Sequence, residues 1–239
     1  MDYPASSAHS LPEEIGEDLF AVYGSIRANP LVRFTRNMAI VRDGRELTLV
    51  NPVRMDDAGL QELERLGAVR NVLRLGPMHG QDDPFYVDRY RAAFWAFPDG
   101  KVHPRPAIDH VLGDDGTLPF GRATLFVFHH LTQTEGAILL ERDAGVLLTC
   151  DAIQSYATPP HKPHTNRLAR LLMPFIGFPD ETLIGPMWLK LLAADRDKVR
   201  REFERLLELD FDQLLSAHGT FLSAGAHEAV ARAVARRFT

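Results

Sequence analysis

Short apolar runs separated by turn residues fill the first two thirds of the chain, and helical periodicity takes over afterwards. Leu19–Ser25, Asn37–Arg42 and Leu47–Pro52 read as strands, the last two joined through Asp43-Gly44-Arg45, where Asp-Gly is a strong hairpin signal. Leu60, Leu63 and Leu66 recur at helical spacing, so Asp56–Leu66 is expected to be an amphipathic helix, capped by Asp56 or Asp57 and ended by Gly67. Val69–Leu75 is the next strand. Pro84–Phe94 follows as a helix with Pro at its start, and Lys101–His103 as a short strand. Ala123–His129, Ala137–Arg142 and Gly145–Thr149 are strands. Beyond them Thr165–Phe175, Pro186–Leu192, Arg196–Leu209 and Ala226–Phe238 read as helices, interrupted by the strand Gln213–Ser216. Two strand-rich halves that each carry helices imply two mixed β-sheets packed face to face with helices outside, a four-layer α/β (α+β) arrangement. The pattern divides the chain into a flexible N-terminal leader, residues 1–14, and one domain over 15–239.

Three of these strands run straight into polar stations. They are His79-Gly80-Gln81-Asp82-Asp83, Cys150-Asp151 and Ala217-His218-Gly219. Imidazoles and carboxylates gathered at one sheet edge suit Zn²⁺, Mn²⁺ or Fe. His218 sits between small residues that let a ligand approach and is the strongest single candidate, with a capping or turn histidine as the alternative. An acid at the tip of the apolar run Val146–Cys150 is costly unless paired or metal-bound, which favours a site role for Asp151 over an ordinary turn acid. Asp82 and Asp83 compete for one role, and either also serves as a helix cap before Pro84. Cys150 reads as a packed core residue rather than a nucleophile, because no basic sequence neighbour would lower its pKa.

The order of elements resembles the metallo-β-lactamase fold superfamily, from about Leu19 to the C-terminus. The resemblance is carried by NMAIVRDGRELTLVNP, DDAGLQELERLGAVRNVL, GAILLERDAGVLLTCDAI and DFDQLLSAHG. It implies an αββα sandwich and a site built on a His-x-His-x-Asp-His loop. Here His79 and Asp83 keep two positions of that loop, while Gln81 and Pro84 replace histidines. Gln133 falls where a further ligand His is expected, and Asp151 and His218 match the last two ligands. The resemblance thus implies a reduced metal site of His79, Asp83, Asp151 and His218, holding one divalent ion (Zn, Mn or Fe). Loss of imidazoles shifts preference towards oxygen-liking ions. Asp83 is the candidate to orient a water where it is not bound to the ion.

The implied activity is metal-dependent hydrolysis of a small-molecule ester, thioester, lactone or phosphoester. The rival is a non-catalytic binding or regulatory module on a degenerate fold, and a redox role with bound iron is a third reading. His161 and His164, in a Pro-rich loop, and His129 and His130, at a strand end, are alternative ligands that read more simply as surface residues. The apolar stretch 171–178, with Met187 and Trp188, reads as core packing first, and otherwise as a pocket wall or a homodimer contact. With 27 Lys and Arg against 32 Asp and Glu the net charge is −5, and no basic stripe suggests nucleic acid. One cysteine excludes an intrachain disulfide. No apolar run is long enough for a membrane span, and residues 1–12 lack a signal-peptide core, so a cytoplasmic location is expected.

Overall fold

The computed structural model describes residues 3–27, 32–156, 166, 168, 171 and 181–238. A seven-stranded sheet runs in chain order. It comprises β1 (Glu13–Gly16), β2 (Leu19–Arg27), β3 (Arg33–Asp43), β4 (Glu46–Val50), β5 (Ala68–Arg74), β6 (Ala93–Ala96) and β7 (His110–Val111). β1 to β4 are antiparallel, and β4 to β7 are parallel. A second sheet has the order β13 (Gln213–Ser216), β10 (Val146–Thr149), β9 (Glu135–Leu140), β8 (Ala123–Phe128). β11 (Ile153–Ser155) and β12 (Thr182–Ile184) pair separately.

Period-two alternation puts successive side chains on opposite faces, and both faces of each sheet are buried. In β2, Leu19 and Ala21 point between the sheets, towards Ile138, Leu140, Val146 and Leu148. Their neighbours Phe20 and Val22 face outwards, onto α1 (Asp57–Leu66) and α2 (Asp83–Tyr90) through Leu60, Leu63, Phe85 and Tyr86. The outer face of the second sheet, with Phe126, Phe128, Leu139 and Leu147, packs on α3 (Pro186–Leu192), α4 (Arg196–Leu206) and α5 (Ala226–Phe238) through Trp188, Phe203 and Val230. Three apolar layers thus separate four structural layers: helices, sheet, sheet, helices. This is the αββα sandwich expected from the sequence.

The Asp-Gly signal is a true hairpin, with Asp43 opposite Glu46 and Gly44 at φ 59°. Asp56 caps α1, accepting from Gly59 N at 2.9 Å. Other boundaries move. The expected helix Pro84–Phe94 stops at Tyr90, because Arg91 turns left-handed (φ 54°). The aromatic run that follows becomes β6, whose Phe94 and Trp95 are buried; such residues favour strands when both faces are covered. Lys101–His103 is not a strand, whereas Glu13–Gly16 pairs with β2. The helix expected over Thr165–Phe175 lies outside the described residues apart from positions 166, 168 and 171. No helix among the described residues is long and apolar enough to cross a membrane.

Candidate metal centre

Parallel pairing of β10 with β13 sets Thr149 opposite Ser216, so the residues just beyond, Asp151 and His218, emerge at the same level. The turn after β13 is locked from the other sheet. Asn37 donates through Nδ2 to Ser216 O (2.9 Å) and Gly219 O (3.0 Å), and Gly219 N donates to Thr35 Oγ1 (2.7 Å). Gly219 has φ 89°, and a Cβ there would overlap the Ser155 carbonyl oxygen, so only glycine fits after His218. His79 arrives from the end of β5.

The three side chains meet at one carboxylate. His79 Nε2 lies 3.2 Å from Asp151 Oδ1 and 3.1 Å from Oδ2, and His218 Nε2 lies 3.1 Å from Oδ1. The two imidazole rings are 4.9 Å apart, and all three residues are at most 6 % exposed. His218 Nδ1 is 2.6 Å from the Thr35 carbonyl oxygen, which only accepts, so Nδ1 carries the hydrogen. In neutral His218 the Nε2 lone pair then faces a carboxylate oxygen. That contact requires a positive charge between the two atoms, either a proton or a metal ion. A histidine whose far nitrogen donates to a carbonyl is also the usual posture of a metal ligand. His79 departs from that posture, since its buried Nδ1 has no partner.

Electrostatics agree with a cation-seeking centre. Burial works against the Asp151 carboxylate, but His79 and His218 together outweigh it and hold its carboxyl well below the usual range. Burial lowers His79, with Asp151 opposing. Glu135, at the start of β9, is fully buried and accepts Asp151 N (2.9 Å) and Ala152 N (2.7 Å) through Oε1. Burial, then the neighbouring Asp151 charge, pushes its carboxyl well up.

The other residues expected at the site go elsewhere. Asp83 is not brought to this group: it is 0 % exposed and lies 3.4 Å from Arg74 Nη1. Asp82 is bound by Arg36, whose Nη1 is 2.8 Å away, and by Arg54 N at 3.1 Å. Arg36 Nη2 also donates to His79 O at 3.1 Å, fixing the backbone of the His79 loop. Gln81 is exposed, and Gln133 Oε1 accepts Lys101 N at the surface (2.8 Å). His129 faces Asp114 (3.3 Å) and His130 faces Glu202 (3.7 Å), both on the surface. His161 and His164 lie outside the described residues, as does most of the apolar stretch 171–178. Trp188 is core, whereas Met187 is 52 % exposed. Sequence reasoning missed Glu135, Arg36 and Arg74. The only signal was their charge inside or beside apolar strands, which buried pairing explains.

Among the described residues the donor atoms that lie within 4.8 Å of one another, close enough to share an ion, are those of His79, Cys150 and Asp151, and His218 Nε2 stands beside them, 3.1 Å from Asp151 Oδ1. A tetrahedral ion with bonds of about 2.1 Å has donors about 3.4 Å apart, close to the 3.1–3.2 Å gaps around Asp151. No protein-family model matches the chain, and no curated protein matches it in sequence. Its fold matches solved metallo-β-lactamases. DIM-1 exposed to ceftazidime gives a TM-score of 0.65 at 12 % identity, covering 98 % of this chain and 99 % of that one. FIM-1 from Pseudomonas aeruginosa, in a mono-zinc form, gives 0.66 at 11 %, covering 98 % and 97 %. The B3 enzyme BLEG-1 gives 0.58 at 16 %, covering 86 % and 95 %. The chain therefore has the metallo-β-lactamase fold, in a divergent sequence.

Proposed function

We propose that this protein is a metal-dependent hydrolase of a small ester, thioester, lactone or phosphoester, with one divalent ion held at Asp151 by His79, Asp151 and His218. One observation carries this reading: two buried imidazoles converge on a single carboxylate, and the Thr35 carbonyl fixes the His218 tautomer so that its Nε2 presents a lone pair to Asp151, where a proton or a metal ion must sit. A bound ion would supply an activated water and polarise the substrate oxygen. The chain's own residues hold the geometry. Thr35 orients His218, Glu135 grips the Asp151 turn, and Arg36 fixes the backbone of the His79 loop. Arg36 and Arg74 supply the positive charge facing Asp82 and Asp83, which supports a mononuclear centre with Asp83 outside it.

The same two ion pairs favour a second reading, a non-catalytic binding module, because they close the half of the site that a second ion would use. The test is elemental analysis of protein purified without chelator or metal-affinity resin, wild type beside His218→Ala, followed by a substrate screen. About one equivalent of metal, lost in the variant, with hydrolysis of one substrate class, supports the hydrolase. Metal without hydrolysis of any of the four classes supports the module. Two folded proteins that refuse added metal refute the metal reading.

A further inference from the structure

The segment ahead of β1 is strapped along β2. Ser10 N donates to Tyr23 O at 2.8 Å, Ser25 Oγ to Ala8 O at 2.9 Å, and Asp56 N to His9 Nε2 at 2.9 Å. Between this strap, the end of β2 and the loop after β5 lies a cavity of about 150 Å³, roughly ten times the space one water needs. Gly24, opposite Arg36 in the β2–β3 ladder, leaves room that Val53 fills, so the Val53-Arg54 turn closes against β2. The cavity is lined by Ser7 of the strap, by Arg27, Arg36 and Arg54, and by Gln81 and Asp82 of the loop. Arg27 and Gln81 are exposed, so it opens to solvent on their side.

The charge of this lining is unbalanced. Three guanidiniums stand against one carboxylate, and 3 − 1 leaves an excess of two positive charges. That carboxylate, Asp82, is already held by Arg36 at 2.8 Å. The next acid along, Asp83, lies by Arg74 and is not part of the lining. Arg54 rests on the Phe85 ring, 3.2 Å from its centroid, and gives one N–H to Met55 O at 3.3 Å. Its Nε, and the Nε of Arg36, which is 2 % exposed, are buried without a hydrogen-bond partner. A buried N–H without an acceptor is costly, and an oxyanion seated in the cavity would supply one.

We propose that this cavity binds a small phosphate-class dianion, as the free ion or as the phosphoryl group of a small ester. An excess of two charges matches a dianion better than a monovalent carboxylate. Guanidinium forks fit phosphate oxygens in pairs, and the Ser7 hydroxyl and Gln81 amide add neutral donors. The open side leaves an exit for whatever an ester carries. The proposal does not depend on the metal reading. Arg36 also donates to His79 O, so an anion here acts on the backbone of the His79 loop without touching the candidate metal ligands.

The experiment is calorimetric titration of the full-length protein with inorganic phosphate, after a chelator has removed any metal so that phosphate has no ion to bind. One saturable site is expected. Arg54→Gln should weaken phosphate about tenfold or more, because a charge-assisted fork is lost, and Arg27→Gln should weaken it to a smaller extent. Arg200→Gln, exposed on α4, should change nothing. Arg27 is exposed, so its variant keeps the test open even where Arg54→Gln does not fold. Methyl phosphate separates the two sources: an ester that binds as tightly as the free ion assigns the site to a phosphoryl group, and an ester that is excluded assigns it to inorganic phosphate. No saturable binding, or equal weakening in all three variants, would overturn the proposal. So would acetate binding more tightly than phosphate.

Discussion

Replacing Asp83 by Asn tests how the interior treats the acids of the ligand loop. Asp83 is fully buried, neither carboxylate oxygen makes a hydrogen bond, and Arg74 stands off at 3.4 Å. Burial outweighs the Arg74 and Arg36 charges and pushes the carboxyl from 3.8 up to about 7. The folded state thus binds this proton more tightly than the unfolded chain. Between the unfolded value and about 7, stability falls as pH rises, and above that it is flat. A shift of about three units corresponds to about 4 kcal/mol. Asn mimics the protonated form at every pH. The variant should therefore match the wild type near pH 4 and exceed it by up to about 4 kcal/mol at pH 8. Urea unfolding of both proteins at the two pH values measures this, and the difference between them cancels every other titrating group. A difference that stays constant within about 1 kcal/mol, or one that favours the wild type at pH 8, would refute the reasoning. The second outcome would mean that Arg74 keeps the acid ionised.

Three other outcomes are expected. Arg36→Met strands the buried Asp82 carboxylate and should cost about 3–5 kcal/mol; adding Asp82→Asn should recover most of it, and a denaturant series on the two proteins decides. Glu135→Ala leaves the Asp151 and Ala152 amides without their acceptor, at about 1–3 kcal/mol each, and should weaken metal binding roughly 10–100-fold. Glu135→Gln keeps the accepting oxygen, and a zinc competition assay should find it near the wild type; equal loss in both variants would contradict a positioning role. Gln133→Ala should leave metal content unchanged in elemental analysis, because that side chain serves Lys101 at the surface.

What was readable in the chain was whatever local chemistry determines. The Asp43-Gly44 turn, the Asp56 cap and the strands that deliver His79, Asp151 and His218 all follow from residues a few positions apart. The fate of Asp83 does not. Its partner Arg74 lies on the preceding strand and is charged at a position that pattern reading assigns to the core. Glu135 was hidden for the same reason, since its two amide partners come from a turn 16 and 17 residues later. β6 was absorbed into a helix because Tyr90 and Phe94 keep helical spacing. Only the left-handed Arg91, whose conformation no residue type announces, separates the two elements.

The hydrogen bond from His218 Nδ1 to the Thr35 carbonyl joins positions 183 residues apart. It forms only after β3 and the end of β13, in different sheets, have closed on each other. The tautomer on which the proposed ligand role of His218 rests is thus a property of the finished molecule, absent from any partial chain. In the proposed centre, an ion that relies on His218 would be captured after folding and would not nucleate it.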